Sequence, residues 1–158
     1  MRGREMVFIN KRESDSLEQE RLVNFLELQT GSVMTKHVLT IPKQMTLREL
    51  DGLFKVHDFN SFPVVENGCL IGIVSKFDFL KNFIFTPSSV FPHYDELMKR
   101  TVEQIMTREV NTVHPTTPLT RVLQMMVDLK AQSLPVVDEK NQVLGIISRG
   151  NIVAALNG

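Results

Sequence analysis

The chain repeats a stretch of its own sequence, and this duplication constrains the fold more than any other feature. The stretch Ser61-Phe62-Pro63-Val64-Val65 returns as Ser133-Leu134-Pro135-Val136-Val137, 72 residues later. Met34-Thr35 returns as Met106-Thr107 at the same spacing. One spacing shared by two separate landmarks indicates two copies of a single folding unit.

The two copies also end alike. Gly72-Ile73-Val74-Ser75-Lys76-Phe77-Asp78 returns as Gly145-Ile146-Ile147-Ser148-Arg149-Gly150-Asn151, so the second copy has gained one residue. The gain lies in the turn, where Glu66–Cys69 corresponds to the longer Asp138–Gln142. Insertions are tolerated at hairpin tips, which is where we expect these turns to lie.

Composition limits the classes of partner. At 158 residues the chain suits one compact domain or two small ones that share a core. Lys plus Arg equals Asp plus Glu, so bulk charge does not favour nucleic acid or an anionic membrane as a partner. No apolar run is long enough to insert into a membrane. The single Cys69 suits a reducing compartment, and we expect a cytoplasmic protein.

Each copy reads as strand, helix, strand, strand, helix. Thr46 followed by Glu49 predicts a capped helix, after a short extended segment, residues 38–41, that Pro42 ends. The second copy predicts the same helix, with Thr117 as its cap and Pro118 at its first position.

Strand pairs follow these helices, at residues 62–65 with 70–74 and 134–137 with 143–147. Asn67-Gly68 between the first pair predicts a hairpin. The strands are almost continuously apolar, so we expect both sheet faces to be covered. Ser75 and Ser148 then begin the closing helices, predicted over residues 77–83 and 152–156.

The flanking segments give weaker patterns. Apolar residues spaced by three and four predict a helix over residues 16–29, capped by Ser14 or Ser16 and stopped by Gly31. Residues 6–9 are either a short strand or an apolar tail. Prolines and aromatic residues fill 85–93, before a predicted helix over 94–106. This connector either completes a pocket or only packs on the surface.

These patterns divide the chain into four parts. We expect an N-terminal tail and helix (residues 1–32), a first repeat (33–84), a connector (85–101) and a second repeat (102–158). The fold class is mixed α/β (α+β), with two βαββα repeats after an N-terminal helix.

Ser75 and Asp78 can be interpreted in two ways. A serine followed three residues later by an acid is the capping pattern of a helix, and this is the usual meaning of an isolated match. In a nucleotide site, the hydroxyl and the free N–H groups of a helix start would face a phosphate, and the carboxylate would accept hydrogen bonds from a ribose diol.

The context of the motif favours the second interpretation. The Met-Thr opening, the Pro-Val-Val strand and the Gly-hydrophobic-hydrophobic-Ser-x-x-Asp ending all occur twice, in the same order. Together they resemble the CBS domain, the cystathionine-β-synthase repeat, in its tandem form, over residues 33–156. The resemblance implies a stand-alone CBS domain-containing protein, in which two repeats pack as a pseudo-two-fold Bateman module that senses ligands and does not catalyse.

The resemblance further implies two clefts between the copies that hold adenosine-containing ligands. We name them by the serine at the helix start. The Ser75 cleft is expected to be formed by Ser75, Asp78, Thr107, Val110, Thr112, Ser133, Leu134 and Pro135. The Ser148 cleft is expected to be formed by Ser148, Asn151, Thr35, Val38, Thr40, Ser61, Phe62 and Pro63.

The second copy departs from the family pattern at one position. Asn151 stands where the family usually has Asp, and an amide offers one acceptor oxygen in place of a charged pair. We therefore expect the Ser75 cleft to bind more strongly. Four cations at matching positions could reach phosphates, although each alone reads as a solvated surface charge: Lys36, Lys76, Arg108 and Arg149.

Nothing in the sequence has the pattern of a catalytic or metal site. The four histidines have no metal-ligand spacing, and neither Ser75 nor Ser148 has a histidine at a fixed offset in both copies. We expect neither an enzyme nor a catalytic cofactor.

Two functions remain open. The leading hypothesis is a regulatory module that binds AMP, ADP, ATP or S-adenosylmethionine as a regulatory ligand and signals to a protein effector. The alternative is a structural dimerisation module with no nucleotide ligand. In either case the resemblance implies a homodimer.

Overall fold

The structure of the chain is a computed structural model that describes residues 10–84 and 94–158. The expectations for residues 6–9 and 85–93 lie outside the described residues. In chain order, the elements are α1 (Lys11–Glu27), α2 (Thr30–Val33), β1 (Ile41–Pro42), α3 (Leu47–Val56), β2 (Ser61–Glu66), β3 (Cys69–Ser75), α4 (Lys76–Lys81), α5 (Tyr94–Lys99), a 3₁₀ turn (Val102–Gln104), α6 (Leu119–Leu129), β4 (Ser133–Val137), β5 (Val143–Ser148) and α7 (Arg149–Asn157).

The first repeat has the predicted order of elements, but its first strand is Ile41–Pro42 and not residues 38–41, because Pro42 does not end the strand and pairs with Val65. Its sheet has the order β1-β2-β3, with β1 parallel to β2 and β2 antiparallel to β3. Asn67 and Gly68 join β2 to β3 at φ of 50° and 80°, the left-handed values that a tight hairpin turn requires. The predicted hairpin is therefore confirmed.

The second repeat has a smaller sheet. Strands β4 and β5 form an antiparallel pair, and in place of a strand equivalent to β1 there is a single parallel bridge between Val113 and Val136. The mixed α/β fold class is thus confirmed, with a first strand that is reduced to one bridge in the second repeat.

The segment before each repeat packs on the other repeat. The Leu119 N–H donates to the Leu28 carbonyl at 3.1 Å, so the end of α1 is joined to the start of α6. The Leu47 N–H donates to the Arg100 carbonyl at 2.8 Å, which joins the connector to the start of α3 in the same way. The two repeats are therefore interleaved.

Two apolar cores follow from this arrangement. The core of the second repeat contains Phe25 of α1 together with Leu119 and Val122 of α6. The core of the first repeat contains Leu47 and Leu50 of α3, and it is completed by Met98 of the connector and by Val102 and Met106 of the second repeat.

The last strand of each repeat also pairs with the Met-Thr segment of the other. Ile73 and Thr107 exchange two backbone hydrogen bonds of 2.9 Å. Thr35 and Ile146 do the same at 2.8 and 3.0 Å. These bonds bring the first residues of one repeat to the end of the other, where the clefts lie.

Three helix predictions were wrong in their limits. α1 begins at Lys11, capped by Asn10 and not by Ser14 or Ser16, because its polar first turns carry no apolar periodicity. Pro118 is the N-cap of α6 and Thr117 makes no cap bond, since its hydroxyl accepts from the His114 N–H.

The third correction concerns the helix expected over residues 94–106. It ends at Lys99 as α5, and Thr101 is extended before the 3₁₀ turn. The reason is tertiary: Thr101 forms a β-bridge with Thr46, and the Val102 N–H donates to the Met45 carbonyl at 2.8 Å. The smaller shifts at the closing helices, α4 and α7, reflect their start directly after Ser75 and Ser148.

Candidate functional site

The centre of the site is a pair of equivalent serines. The hydroxyl oxygens of Ser61 and Ser133, 72 positions apart, lie 3.4 Å from each other. Two clefts open on either side, and both are lined by Ser61, Ser133, Asn60 and Gln132. Each cleft is therefore built from both repeats.

The Ser75 cleft is the larger, with a volume of about 610 Å³. It brings together five of the predicted residues: Ser75, Lys76, Asp78, Thr107 and Ser133. The remaining residues of its wall were not predicted for this cleft: Asn60, Ser61, Ile73, Phe77, Leu80, Leu129, Lys130, Ala131 and Gln132.

The Ser148 cleft has a volume of about 310 Å³. It brings together five predicted residues: Thr35, Val38, Ser61, Phe62 and Ser148. The others in its wall were not predicted for this cleft: His37, Leu39, Asp58, Phe59, Asn60, Gln132, Ser133 and Ile146. Both volumes lie in the range of roughly 300–1,000 Å³ that is usual for small-molecule sites.

Seven predicted residues do not line their clefts. They are Val110, Thr112, Leu134 and Pro135 for the Ser75 cleft, and Asn151, Thr40 and Pro63 for the Ser148 cleft. Leu134, Pro135 and Pro63 are buried within strands β4 and β2, and the Leu134 side chain belongs to the core of the second repeat. Asn151 lies just behind Ser148 and Thr35 of the cleft wall.

Asp78 is held by its own helix start. One carboxylate oxygen, Oδ2, accepts from the Ser75 N–H at 2.9 Å and from the Ser75 hydroxyl at 2.7 Å. The other, Oδ1, forms an ion pair of 2.8 Å with the Lys81 ammonium. The capping interpretation of this motif is thus confirmed in detail, while the carboxylate also lies in the cleft wall.

The charge of Asp78 is stabilised where it lies. Burial raises the pKa of this carboxyl, but the hydrogen bonds from Lys81 and Ser75 lower it by more, so the pKa lies below its ordinary value of 3.8. Asp78 is only 6% exposed, and it is therefore a buried, ionised group at the edge of a cleft.

Asn151 reproduces this cap without the charge. Its Oδ1 accepts from the Ser148 N–H and from the Ser148 hydroxyl, both at 2.8 Å. Its amide nitrogen, which replaces the second carboxylate oxygen, donates to the Thr35 hydroxyl at 3.4 Å. Ala154 stands where the first repeat has Lys81, so the cation is missing along with the carboxylate.

The four predicted phosphate-reaching cations have different surroundings. Lys76 lines the Ser75 cleft, with its ammonium 5.8 Å from the centre of the Phe54 ring. Arg108 is ion-paired with Glu103 at 3.4 Å. Arg149 donates from Nε to the Ala131 carbonyl at 2.9 Å. Lys36 is exposed and lines neither cleft.

The residues missed in the sequence are mainly those before the Pro-Val-Val strands. Asp58 and Phe59 line the Ser148 cleft, and Lys130 and Ala131 line the Ser75 cleft at equivalent positions. The spacing of 72 residues that relates Ser61 to Ser133 also relates these pairs, and it could have identified them.

Neither a metal cluster nor a membrane span is found where the structure describes the chain. No group of three or more potential metal ligands occurs in residues 10–84 and 94–158. Over the same residues, no helix is long and apolar enough to cross a bilayer.

The sequence profile of the CBS domain matches residues 31–84 and 102–158. An uncharacterized protein of Methanocaldococcus jannaschii is 36% identical over 131 residues, which cover 81% of this chain and 44% of the relative. A homoserine O-acetyltransferase of Methanococcoides burtonii is 34% identical over 131 residues, which cover 82% of this chain and 24% of that enzyme. The chain thus spans less than half the length of these relatives.

Solved structures share the fold. A CBS domain pair crystallised with 5′-methylthioadenosine and S-adenosyl-L-methionine has a TM-score of 0.69 and 26% identity to this chain, and covers 83% of it and 97% of its own length. CBSX2 in complex with AMP has a TM-score of 0.68 and 24% identity, with coverage of 80% and 94%, and is similar in fold alone.

Proposed function

The chain belongs to the CBS domain family as a tandem pair, and from that premise we propose that it is a non-catalytic regulatory module. It binds an adenosine-containing ligand between its repeats and signals to a protein effector. The observation that carries this proposal is the pair of clefts around Ser61 and Ser133, each formed by both repeats. A ligand in either cleft contacts both copies, so its binding changes how the repeats are held together.

The Ser75 cleft is the proposed stronger site. A carboxylate has about four lone-pair positions, and three donors already occupy those of Asp78: the Ser75 N–H, the Ser75 hydroxyl and the Lys81 ammonium. A ribose diol therefore either shares the Oδ1 atom with the Lys81 ammonium or displaces the ammonium from it. Lys76 and Lys130 in the same wall supply positive charge for a phosphate group.

The likeness to a structure with bound nucleosides supports the ligand class. The pair crystallised with 5′-methylthioadenosine and S-adenosyl-L-methionine matches 83% of this chain at 26% identity. We extend the ligand class of that pair to this chain, with AMP, ADP, ATP and S-adenosylmethionine as candidates. In the cytoplasm, where we place the protein, these compounds would report on metabolic state.

The test is a thermal-shift panel with these compounds on the wild type and on Asp78→Asn. The variant is well matched, because Asn151 makes the same cap with Ser148 and shows that an amide is compatible with it. Ligand at a hundred times its dissociation constant stabilises a protein by about 2.7 kcal/mol, or several degrees at roughly 2–4 °C per kcal/mol. We expect this rise in the wild type, and for AMP, ADP and ATP a clearly smaller one in Asp78→Asn.

The control is Asn151→Asp, which restores the family residue in the other repeat and should leave the Ser75 cleft unaltered. Equal shifts with AMP, ADP and ATP in the wild type and in Asp78→Asn would contradict the role of Asp78. No shift with any adenosine compound, in protein shown to be folded, would favour the alternative function, a structural dimerisation module.

One observation favours dimerisation. Several apolar side chains of α1 are about half exposed: Leu17, Leu22, Val23 and Leu26. We propose that a second copy of the chain covers this face in a homodimer, which is compatible with either function.

A further inference from the structure

The two clefts carry opposite charges at equivalent positions. Asp58 precedes Ser61 by three residues, Lys130 precedes Ser133 by three, and Asp58 and Lys130 are 72 positions apart, as the serines are. Asp58 lines the Ser148 cleft, whereas Lys130 lines the Ser75 cleft. The duplication has therefore kept the site and reversed one charge in its wall.

The other charges of the two walls increase this contrast. The Ser75 cleft holds Lys76 and Lys130, and the one carboxylate among the described residues of its wall, Asp78, is already neutralised by Lys81 at 2.8 Å. The wall of the Ser148 cleft contains no lysine or arginine among the described residues, and His37 is its only side chain that can become cationic.

The counterpart of Lys76 explains why the Ser148 cleft lacks a cation. Arg149 occupies that position, but its Nε donates to the Ala131 carbonyl at 2.9 Å and the residue is outside the wall. Asp58 is exposed, and no ion pair among residues 10–84 and 94–158 involves it. A phosphate in this cleft would thus meet a carboxylate without a fixed cation.

A second difference lies at the next position. Phe59 lines the Ser148 cleft where Ala131 lines the Ser75 cleft. Phe59 is 44% exposed; its ring stacks on His57, with ring centres 5.4 Å apart, and meets the Phe62 ring at 80°, with ring centres 5.9 Å apart. A fixed aromatic surface favours flat or cationic groups, by stacking or by attraction to the ring face.

We infer that the two clefts select adenosine ligands by charge. The Ser75 cleft takes a phosphorylated nucleotide, and the Ser148 cleft takes an adenosine derivative without phosphate, either neutral or carrying positive charge such as a sulfonium. This rests on the proposed function, which it deepens: the Ser148 cleft is a site of different specificity rather than a weaker copy.

The first experiment follows each cleft separately by NMR of methyl-labelled methionine. Met106 precedes Thr107 of the Ser75 cleft and Met34 precedes Thr35 of the Ser148 cleft, and their signals are assigned with Met106→Leu and Met34→Leu. Titration with AMP should shift Met106 at lower concentration than Met34. Titration with 5′-methylthioadenosine or S-adenosylmethionine should reverse that order.

The second experiment reverses the charges. Asp58→Lys should raise the ratio of AMP affinity to adenosine affinity in the Ser148 cleft roughly tenfold, and Lys130→Asp should lower this ratio in the Ser75 cleft roughly tenfold. Adenosine, which carries no charge, corrects for changes in cleft shape. Asp15→Lys, on the exposed surface of α1 and outside both clefts, makes the same change in net charge as Asp58→Lys and should leave the two ratios as they are.

The outcomes separate the two proposals. If AMP binds both clefts with equal affinity, or if the ratios do not respond to Asp58→Lys and Lys130→Asp, the selection by charge is wrong while the proposed function stands. If no adenosine compound shifts either methionine, both are wrong. The expected reversal with the expected ratios supports both.

Discussion

At the scale of single residues, the two copies differ most in how they complete the same helix cap. Asp78 is bound by Ser75 and Lys81, whereas Asn151 is bound by Ser148 and Thr35, with Ala154 in place of the lysine. The second repeat lacks both the carboxylate and its cation, so no buried charge is left without a partner. A buried charge without a partner would destabilise the fold. The Asn151 cap is thus a complete neutral version of the Asp78 cap.

This difference predicts a pH dependence for one copy. Because the pKa of Asp78 is lowered in the folded state, its ionised form stabilises the fold above the unfolded-state pKa of about 3.9, and this contribution is lost as pH falls through the folded pKa. The free energy of unfolding of the wild type relative to Asp78→Asn should therefore be constant above about pH 5 and decrease at lower pH. Denaturant titrations over this range measure it.

Lys81→Ala provides the companion variant. Removal of the ammonium deletes a major cause of the lowered pKa, so the acid loss of stability should also become shallower. Parallel curves for the wild type and both variants would show that Asp78 contributes nothing to acid stability.

Two glycines predict a second residue-scale effect. A Cβ at Gly145 would lie 2.5 Å from the Thr35 carbonyl oxygen, and a Cβ at Gly72 would lie 2.7 Å from the Met106 sulfur. Gly145→Ala should destabilise by about 1–3 kcal/mol or more. Gly72→Ala should cost less, since its nearest contact is a methionine side chain that can move, and the Thr107 carbonyl oxygen lies farther away, at 3.0 Å, than the Thr35 carbonyl oxygen does from Gly145.

The control for these substitutions is Gly52→Ala. Gly52 lies in helix α3, and a Cβ added there would have no neighbouring atom within 4 Å. Alanine should therefore stabilise the protein by up to about 1 kcal/mol. Urea denaturation of the three variants gives the order, and a Gly145→Ala protein as stable as the wild type would mean that the Met-Thr segment is not held where the structure has it.

At the scale of elements, α1 has two different apolar surfaces. Phe25 is 3% exposed in the core of the second repeat, whereas Leu22 and Leu26 are 54% and 56% exposed. Exposed apolar side chains that lie singly need no explanation, but a group of them on one helix indicates an interaction surface.

The proposed homodimer gives this surface a test. Leu22→Glu and Leu26→Glu should lower the dimer fraction in analytical ultracentrifugation, because each places a charge in an apolar interface. Both positions are exposed within one chain, so the melting temperature of the monomer should change little. Glu20→Gln, an exposed change on the same helix, is the control, and an undiminished dimer fraction in the two glutamate variants would place the interface elsewhere.

At the scale of the whole molecule, the repeats depend on each other. The N-terminal segment completes the core of the second repeat, and residues near the connector complete that of the first. Backbone bonds from Thr35 to Ile146 and from Thr107 to Ile73 join them a second time. Under the proposed function, this interleaving connects a ligand in either cleft to the cores of both repeats.

The interleaving predicts regional effects of core substitutions. Phe25→Ala should destabilise by roughly 3–5 kcal/mol and Met98→Ala by roughly 2–5 kcal/mol. Hydrogen exchange should then rise first in α6, β4 and β5 for Phe25→Ala, and first in α3, β2 and β3 for Met98→Ala. If Phe25→Ala instead raised hydrogen exchange first in α3, β2 and β3 of the first repeat, the result would contradict the observed packing.

Local sequence patterns predicted what local chemistry controls. The Thr46-Glu49 and Ser75-Asp78 caps and the Asn67-Gly68 turn formed as expected, because each involves residues within a few positions of one another. The predictions failed where distant contacts decide the backbone: at Thr101, which pairs with Thr46, and at Pro118, which pairs with Gln29. Asp58 and Lys130 were missed in the clefts, because they lie outside the duplicated motifs and only the spacing of 72 residues relates them.

The sequence by itself determined that two equivalent units exist and which family they belong to, since a duplicated register is visible without coordinates. Only the tertiary structure decided which residues face the clefts. Pro63, Leu134 and Pro135 are buried within their strands, whereas Phe59 and Lys130 lie in the cleft walls. The physical reason is that helix caps and turns are satisfied by neighbours in the chain, whereas a cleft is formed by segments that folding brings together from both repeats.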